Sequence, residues 1–321
     1  MKKLITIISC ALAFNFAFLN NANAQDEAIF SHYHVSPILI NPAYAGMSGM
    51  QHVQMNLRNQ WTGFPGAPQT YMVNYNGPMG KVLGIGLNVM SEDIAQISRL
   101  RFGLNYAFRF HVNDLDFSLG FSTDFQDFRL ANSVLNQASP LYEPGDFVVE
   151  ENVDGVKYFD AAFGFAGRYK KATYFGLSFP NLIRTRLDTP AGEGGTAEEM
   201  MQNYIFQLGQ KFEFEDYDFN LNPSLVIRKV RQAPFQIDFN LLAGFVEDKL
   251  QAGVTYRSGV GGALGLLLGT KLDPFSAYFS YDVSFQGFQQ YSNGTYELTV
   301  AFDFGKGAKP MSSITNDITK K

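Results

Sequence analysis

Cysteine and tryptophan are almost missing from this chain, which has one of each, Cys10 and Trp61. Cys10 lies within the N-terminal apolar run, so past that run neither a disulfide nor a cysteine-ligated metal can hold the fold. Stability has to come from backbone pairing and apolar contact. A second long hydrophobic stretch is also lacking: the longest later run, Ala263 to Leu268 flanked by glycines, falls far short of the ~20 residues of a spanning helix. Nor is there a surplus of positive charge. With 25 Lys and Arg against 30 Asp and Glu, the net charge of -5 gives no basis for a nucleic-acid partner. No serine sits in a G-x-S-x-G elbow, and Gly84-Ile85-Gly86 lies inside a strand pattern with no helix after it, which excludes a dinucleotide loop. His32-Tyr33-His34 sets two imidazoles on one side of an extended chain, but no carboxylate or third histidine completes a metal site. No catalytic residue, cofactor or metal is assigned, and His52 is expected in a hydrogen-bond network.

What is present begins with export. Lys2 and Lys3 precede an apolar run from Leu4 to Leu19, and Ala22-Asn23-Ala24 follows as a small-residue cleavage site. Residues 1–24 read as a secretory signal peptide that releases a chain starting at Gln25. An exported protein without a spanning helix is either soluble or a β-barrel.

The aromatics decide between the two. There are 31 Phe and 16 Tyr, spread evenly over short alternating segments rather than gathered for one core. From Arg99 to Phe110, Leu100, Phe102, Leu104, Tyr106, Phe108 and Phe110 share one phase of a period-two pattern, while Arg99, Arg101, Gly103, Asn105, Ala107 and Arg109 share the other. Successive strand side chains point to opposite faces, so one face is apolar and the other charged or small. The pattern recurs at Met50–Arg58, Gln69–Asn76, Lys81–Ser91, Leu115–Gln126, Lys157–Lys170, Ala172–Phe179, Asn203–Glu215, Tyr217–Lys229, Phe235–Val246, Leu250–Ser258, Gly262–Leu272, Phe275–Phe285 and Thr295–Phe304. The fold class is therefore all-β, a transmembrane antiparallel barrel of about fourteen strands, each near the roughly 9 to 11 residues a tilted membrane strand needs. The stretches Trp61–Pro68, Asp127–Val156 and Pro180–Gln202 fall on one side and short turns on the other, which orients the short turns and both termini toward the periplasm.

Residues 25–49 lack alternation and carry Pro37 and Pro42; they read as an ordered extended arm in front of the barrel of residues 50–304, and residues 305–321 as a polar periplasmic tail. The inner face carries both signs, with Arg58, Arg99, Arg101, Arg109, Arg168, Lys211, Arg228 and Arg257 against Asp116, Asp124, Asp160, Glu213 and Asp238. Mixed charges suit a filled interior, whereas a single-sign lining would favour an ion-selective pore. Glycines among the inner positions leave room for the arm to enter as a plug. A diffusion channel or hydrophobic-solute transporter is the competing reading.

Specific segments add a likeness. Ile29-Phe30-Ser31, Ile40-Asn41-Pro42-Ala43-Tyr44-Ala45-Gly46, Arg58-Asn59-Gln60-Trp61, Gly66-Ala67-Pro68, Ala233-Pro234-Phe235-Gln236-Ile237-Asp238, Tyr256-Arg257-Ser258-Gly259 and Tyr291-Ser292-Asn293-Gly294-Thr295-Tyr296-Glu297 resemble the PorP/SprF family of type IX secretion outer-membrane proteins. His32-Tyr33-His34 departs from it, since the family more usually has Gln and an apolar residue there. The resemblance implies a non-enzymatic component that supports secretion or anchoring of specific cargo and, in gliding bacteria, delivery of adhesins. It implies as partners outer-membrane lipid, the type IX ring or accessory lipoproteins, and cargo with a C-terminal sorting domain. Asn41, Pro42, Tyr44, Gly46, Arg58, Asn59, Gln60 and Trp61 are the candidate structural or partner-contact residues.

Overall fold

The computed structural model describes residues 30–135, 145, 154–170, 172–187, 202–230, 233, 235–259, 262–285, 289 and 291–305. The expected leader, much of the longer loops and the tail past Gly305 lie outside these. Period-two alternation without prolines in most segments yields strands, and they close on themselves. In chain order they are β1 (Gln51–Asn59), β2 (Gln69–Met79), β3 (Leu83–Ile94), β4 (Ile97–Val112), β5 (Leu115–Leu130), β6 (Val156–Tyr169) and β7 (Thr173–Phe179). Then follow β8 (Tyr204–Gln210, resuming as Phe212–Phe214 after Lys211), β9 (Phe219–Lys229) and β10 (Gln236–Phe245). The ring is completed by β11 (Leu250–Ser258), β12 (Ala263–Leu272), β13 (Phe275–Ser284) and β14 (Thr295–Phe304).

Every neighbour is antiparallel, and β14 returns to β1 from Gln51↔Phe304 to Asn59↔Tyr296, so the 14-strand ring has no free edge. The two-residue ribbon Thr185–Arg186 pairs with β6 outside the ring. No helix among the described residues is long and apolar enough to cross a membrane. The strands do it instead, because a closed barrel satisfies all its backbone groups between neighbours.

The two faces separate as the alternation predicts. On β4, Leu100 is 53 % exposed and its neighbour Arg99 5 %. Outward aromatics meet across strands, with ring centroids 5.1 Å apart for Phe121 and Phe163 and 5.3 Å for Phe125 and Phe159. Strand lengths depart from expectation. β4 and β5 each run 16 residues and β7 only 7, so the wall is taller on one side.

Residues 30–49 occupy the lumen, and here one expectation is corrected. The segment is not extended: it makes three short 3₁₀ turns at His32–His34, Pro37–Leu39 and Pro42–Tyr44. Proline at the first position of two of them presets φ for a turn, and the Asn41 side chain accepts the Ala43 N–H at 2.9 Å. Ser31 lies near Arg58 and Glu297, toward the long-loop end, and the chain descends to Gly46 beside Gly77 before entering β1 at the short-turn end. It reaches β1 by crossing the lumen.

Candidate functional site

The arm is held at two levels. Near the long-loop end, strand alternation turns Arg58 (β1), Arg228 (β9), Asp238 (β10), Arg257 (β11), Asp282 (β13) and Glu297 (β14) inward, three positive and three negative charges around Ser31, His32 and Tyr33. Arg58 is 2 % exposed and Glu297 0 %. The Arg58 Nη1 donates to Glu297 Oε2 and to Ser31 Oγ, both at 3.0 Å, and Nη2 lies 3.5 Å from Asp282 Oδ2. The Ser31 N–H donates to Glu297 at 2.6 Å and its hydroxyl to Asp282 at 2.8 Å. Tyr33 OH donates to Asp238 Oδ2 at 2.7 Å, while Arg228 pairs with the same carboxylate and lies over the Tyr33 ring, 5.0 Å from its centroid. Arg257 completes the set with Nε 3.2 Å from Asp238 Oδ1. Buried charges persist only when paired and hydrogen-bonded, and here the arm supplies several of the hydrogen bonds.

His32 takes part through hydrogen bonds rather than as a metal ligand. Its Nδ1 lies 2.6 Å from Thr299 Oγ1 and its Nε2 3.0 Å from Ser280 Oγ, and the 3₁₀ turn removes the extended geometry on which a His32 and His34 pair rested. His52 is on the inner face, with Nδ1 2.7 Å from Asp303 and Nε2 3.0 Å from Gln54.

Lower down, the fit is steric. A Cβ at Gly120 would strike the backbone of Ala43, one at Gly164 the Asn41 side chain, and one at Gly84 the carbonyl of Ala45. Asn41 Nδ2 donates to the Phe165 carbonyl at 3.0 Å, and the Ile40 carbonyl accepts the Ser178 hydroxyl at 2.7 Å. Tyr44 OH donates to Gln207 at 3.1 Å. Gly46 adopts φ +65°, and Arg109 Nη1 donates to its carbonyl at 2.6 Å. Asn41, Pro42, Tyr44 and Gly46 thus form one wall contact, and Arg58 belongs to the charged cluster above it. Asn59 is not in the lumen: it faces outward and donates to Tyr296 OH at 2.7 Å, while Gln60, which is buried, and Trp61 begin the loop to β2.

Glu92, Asp282 and Glu297 are inner-face carboxylates that the sequence reading did not name. Continuing the parity count would have found them, because Tyr296, Leu298 and Val300 point outward and leave Glu297 inward. Glu92 lies 3.1 Å from Arg99, with both side chains buried.

A family model described as type IX secretion system membrane protein PorP/SprF matches residues 22–302, from just before the arm to the last strand. The chain belongs to the PorP/SprF family. No curated protein matches it. Among solved structures, the CymD monoaromatic hydrocarbon channel is similar at TM-score 0.51 and 12% identity, over 87% of this chain and 94% of that one. The P. putida toluene transporter TodX follows at TM-score 0.43 and 10% identity, covering 84% and 94%. The CymD likeness shows that this PorP/SprF protein shares the outer-membrane barrel fold.

Proposed function

We propose that the protein is a non-enzymatic outer-membrane component of type IX secretion that handles or anchors specific cargo, and that it does so with its lumen sealed by the arm. Family membership supports the secretion role. The observation that carries the sealed reading is the burial of the inner wall: Asn56, Arg58, Thr70, Asn74, Gln207 and Thr299 are all nearly inaccessible, and Arg58, Gln207 and Thr299 bond directly to the arm residues Ser31, Tyr44 and His32. In an open pore such polar side chains would face water. Recognition then falls to the loops, the short turns and residues 305–321, with the type IX ring, accessory lipoproteins or sorting-domain cargo as partners. Residues 1–24 would direct export and be removed.

Deleting the gene is expected to abolish surface display of a cognate sorting-domain cargo and, in a gliding cell, of an adhesin, without loss of membrane integrity. Unchanged display rejects the role. The polar wall behind the arm favours a second reading, a diffusion channel. Stable conductance of the intact protein in planar bilayers would establish it, and silence argues for the sealed form.

A further inference from the structure

Three of the segments that stand out in the sequence meet outside the lumen. The registers Asn59↔Tyr296, Asn59↔Gln69 and Gln69↔Asp93 set four polar side chains side by side on the outward face. One row toward the middle of the barrel that face is already apolar, with Leu298, Leu57 and Tyr71. Across the polar row runs the loop from Gln60 to Pro68. Its path is fixed by hydrogen bonds on both sides: the Thr62 N–H donates to the Gly294 carbonyl at 2.9 Å, the Asn293 N–H to the Thr62 carbonyl at 2.6 Å, and the Ala95 N–H to the Gly66 carbonyl at 2.9 Å. Gly66 is required there, since it has φ +74° and a Cβ would come within 2.8 Å of the Ala95 backbone.

Between loop and wall lies an open pocket of about 370 Å³, a size within the roughly 300–1,000 Å³ of small-ligand sites. Its polar lining is Asn59, Thr62, Gln69, Asp93 and Tyr296, and Phe64 supplies a ring. The Asn59 Oδ1 is buried without a hydrogen-bond partner, although its amide nitrogen is satisfied by Tyr296. A buried acceptor left unpaired costs about 1–3 kcal/mol. The lining contains a carboxylate and no lysine or arginine, so a phosphate or carboxylate ligand would be repelled. Amides, hydroxyls and one carboxylate beside an aromatic ring suit a neutral ring of hydroxyl groups.

We propose that this pocket binds a sugar ring of a membrane glycolipid. The carbohydrate class follows from the donor and acceptor set, and the lipid linkage from the place of the pocket, where the apolar belt gives way to the loops. The loop carries Trp61, the chain's only tryptophan, so intrinsic tryptophan emission reports on this region alone. The test uses the full barrel in phosphatidylcholine nanodiscs, with and without lipopolysaccharide from the organism's own outer membrane, and counts bound glycolipid by native mass spectrometry. The expected result is a saturable change in Trp61 emission and one retained glycolipid, both weakened at least tenfold by Asn59→Leu and by Asp93→Ala. A heat-dependent gel shift verifies that each variant is a folded barrel. No retained glycolipid, or binding indifferent to both substitutions, overturns the proposal. Saturation by free methyl glycosides at the same concentration as by lipopolysaccharide overturns the lipid linkage.

Discussion

At Arg58 a single guanidinium joins the first strand, the last two strands and the arm. Arg58→Ala leaves Glu297 and Asp282 buried with less compensation, at a cost of about 3–5 kcal/mol. Urea unfolding of the barrel in lipid vesicles should show that loss, and Arg58→Lys should recover only part of it, because an ammonium cannot reproduce the planar fork. Gly120→Leu acts from the other side. Its side chain would occupy the position of the Ala43 backbone, which cannot yield as a flexible side chain would. The expected outcome is an arm displaced from an intact barrel, read as protease cleavage near Pro42 that the parent protein resists. At the short turns, burial opposes ionisation of Asp248, but hydrogen bonds from Asn220 and Lys211, with Lys271 nearby, hold its carboxyl below the ordinary value of 3.8. A depressed folded-state value means that this cluster stabilises the protein above the ordinary value and loses that contribution as the pH falls through the depressed one. Stability measured from pH 6 down to about pH 2 should fall in this window, and Asp248→Asn should flatten that part of the profile.

Among the elements, the strands were legible and the arm was not. Alternation assigns each strand residue to a face with no knowledge of its neighbours, so Leu100 and Arg99 could be placed from sequence alone. The limit was how far a strand continues. β4 and β5 run past their expected ends because Asp127, Phe128 and Arg129 go on pairing with Leu100, Arg99 and Ser98, and that pairing is a property of two strands together. The arm has no periodicity, and its turns are set by Pro37, Pro42 and the Asn41 side chain against a wall built from later residues. Its candidate residues Asn41, Pro42, Tyr44 and Gly46 could be singled out, but not the Ser31 and Tyr33 hydrogen bonds that tie it to carboxylates more than two hundred residues away. Removing residues 25–49 is expected to leave a folded barrel that conducts ions in planar bilayers where the intact protein does not. A deletion variant that still folds and stays silent would show that something else closes the lumen.

For the molecule as a whole, outward and inward surfaces obey different rules. Leu266, in the middle of β12, is 56 % exposed on the face that meets lipid. Leu266→Arg should cost about 2–4 kcal/mol in vesicle-based unfolding, and the same substitution at Leu272, near the strand end, far less. The arm, finally, bears on how the protein is made. Ser31 is bonded to Asp282 and Glu297, so a segment that precedes β1 depends on partners in the two strands that close the ring. Until β13 and β14 exist, the arm has nowhere to bind at its upper end, and once β14 has joined β1 the wall surrounds it on every side. Joining β14 to β1 therefore both closes the ring and completes the upper binding site of the arm.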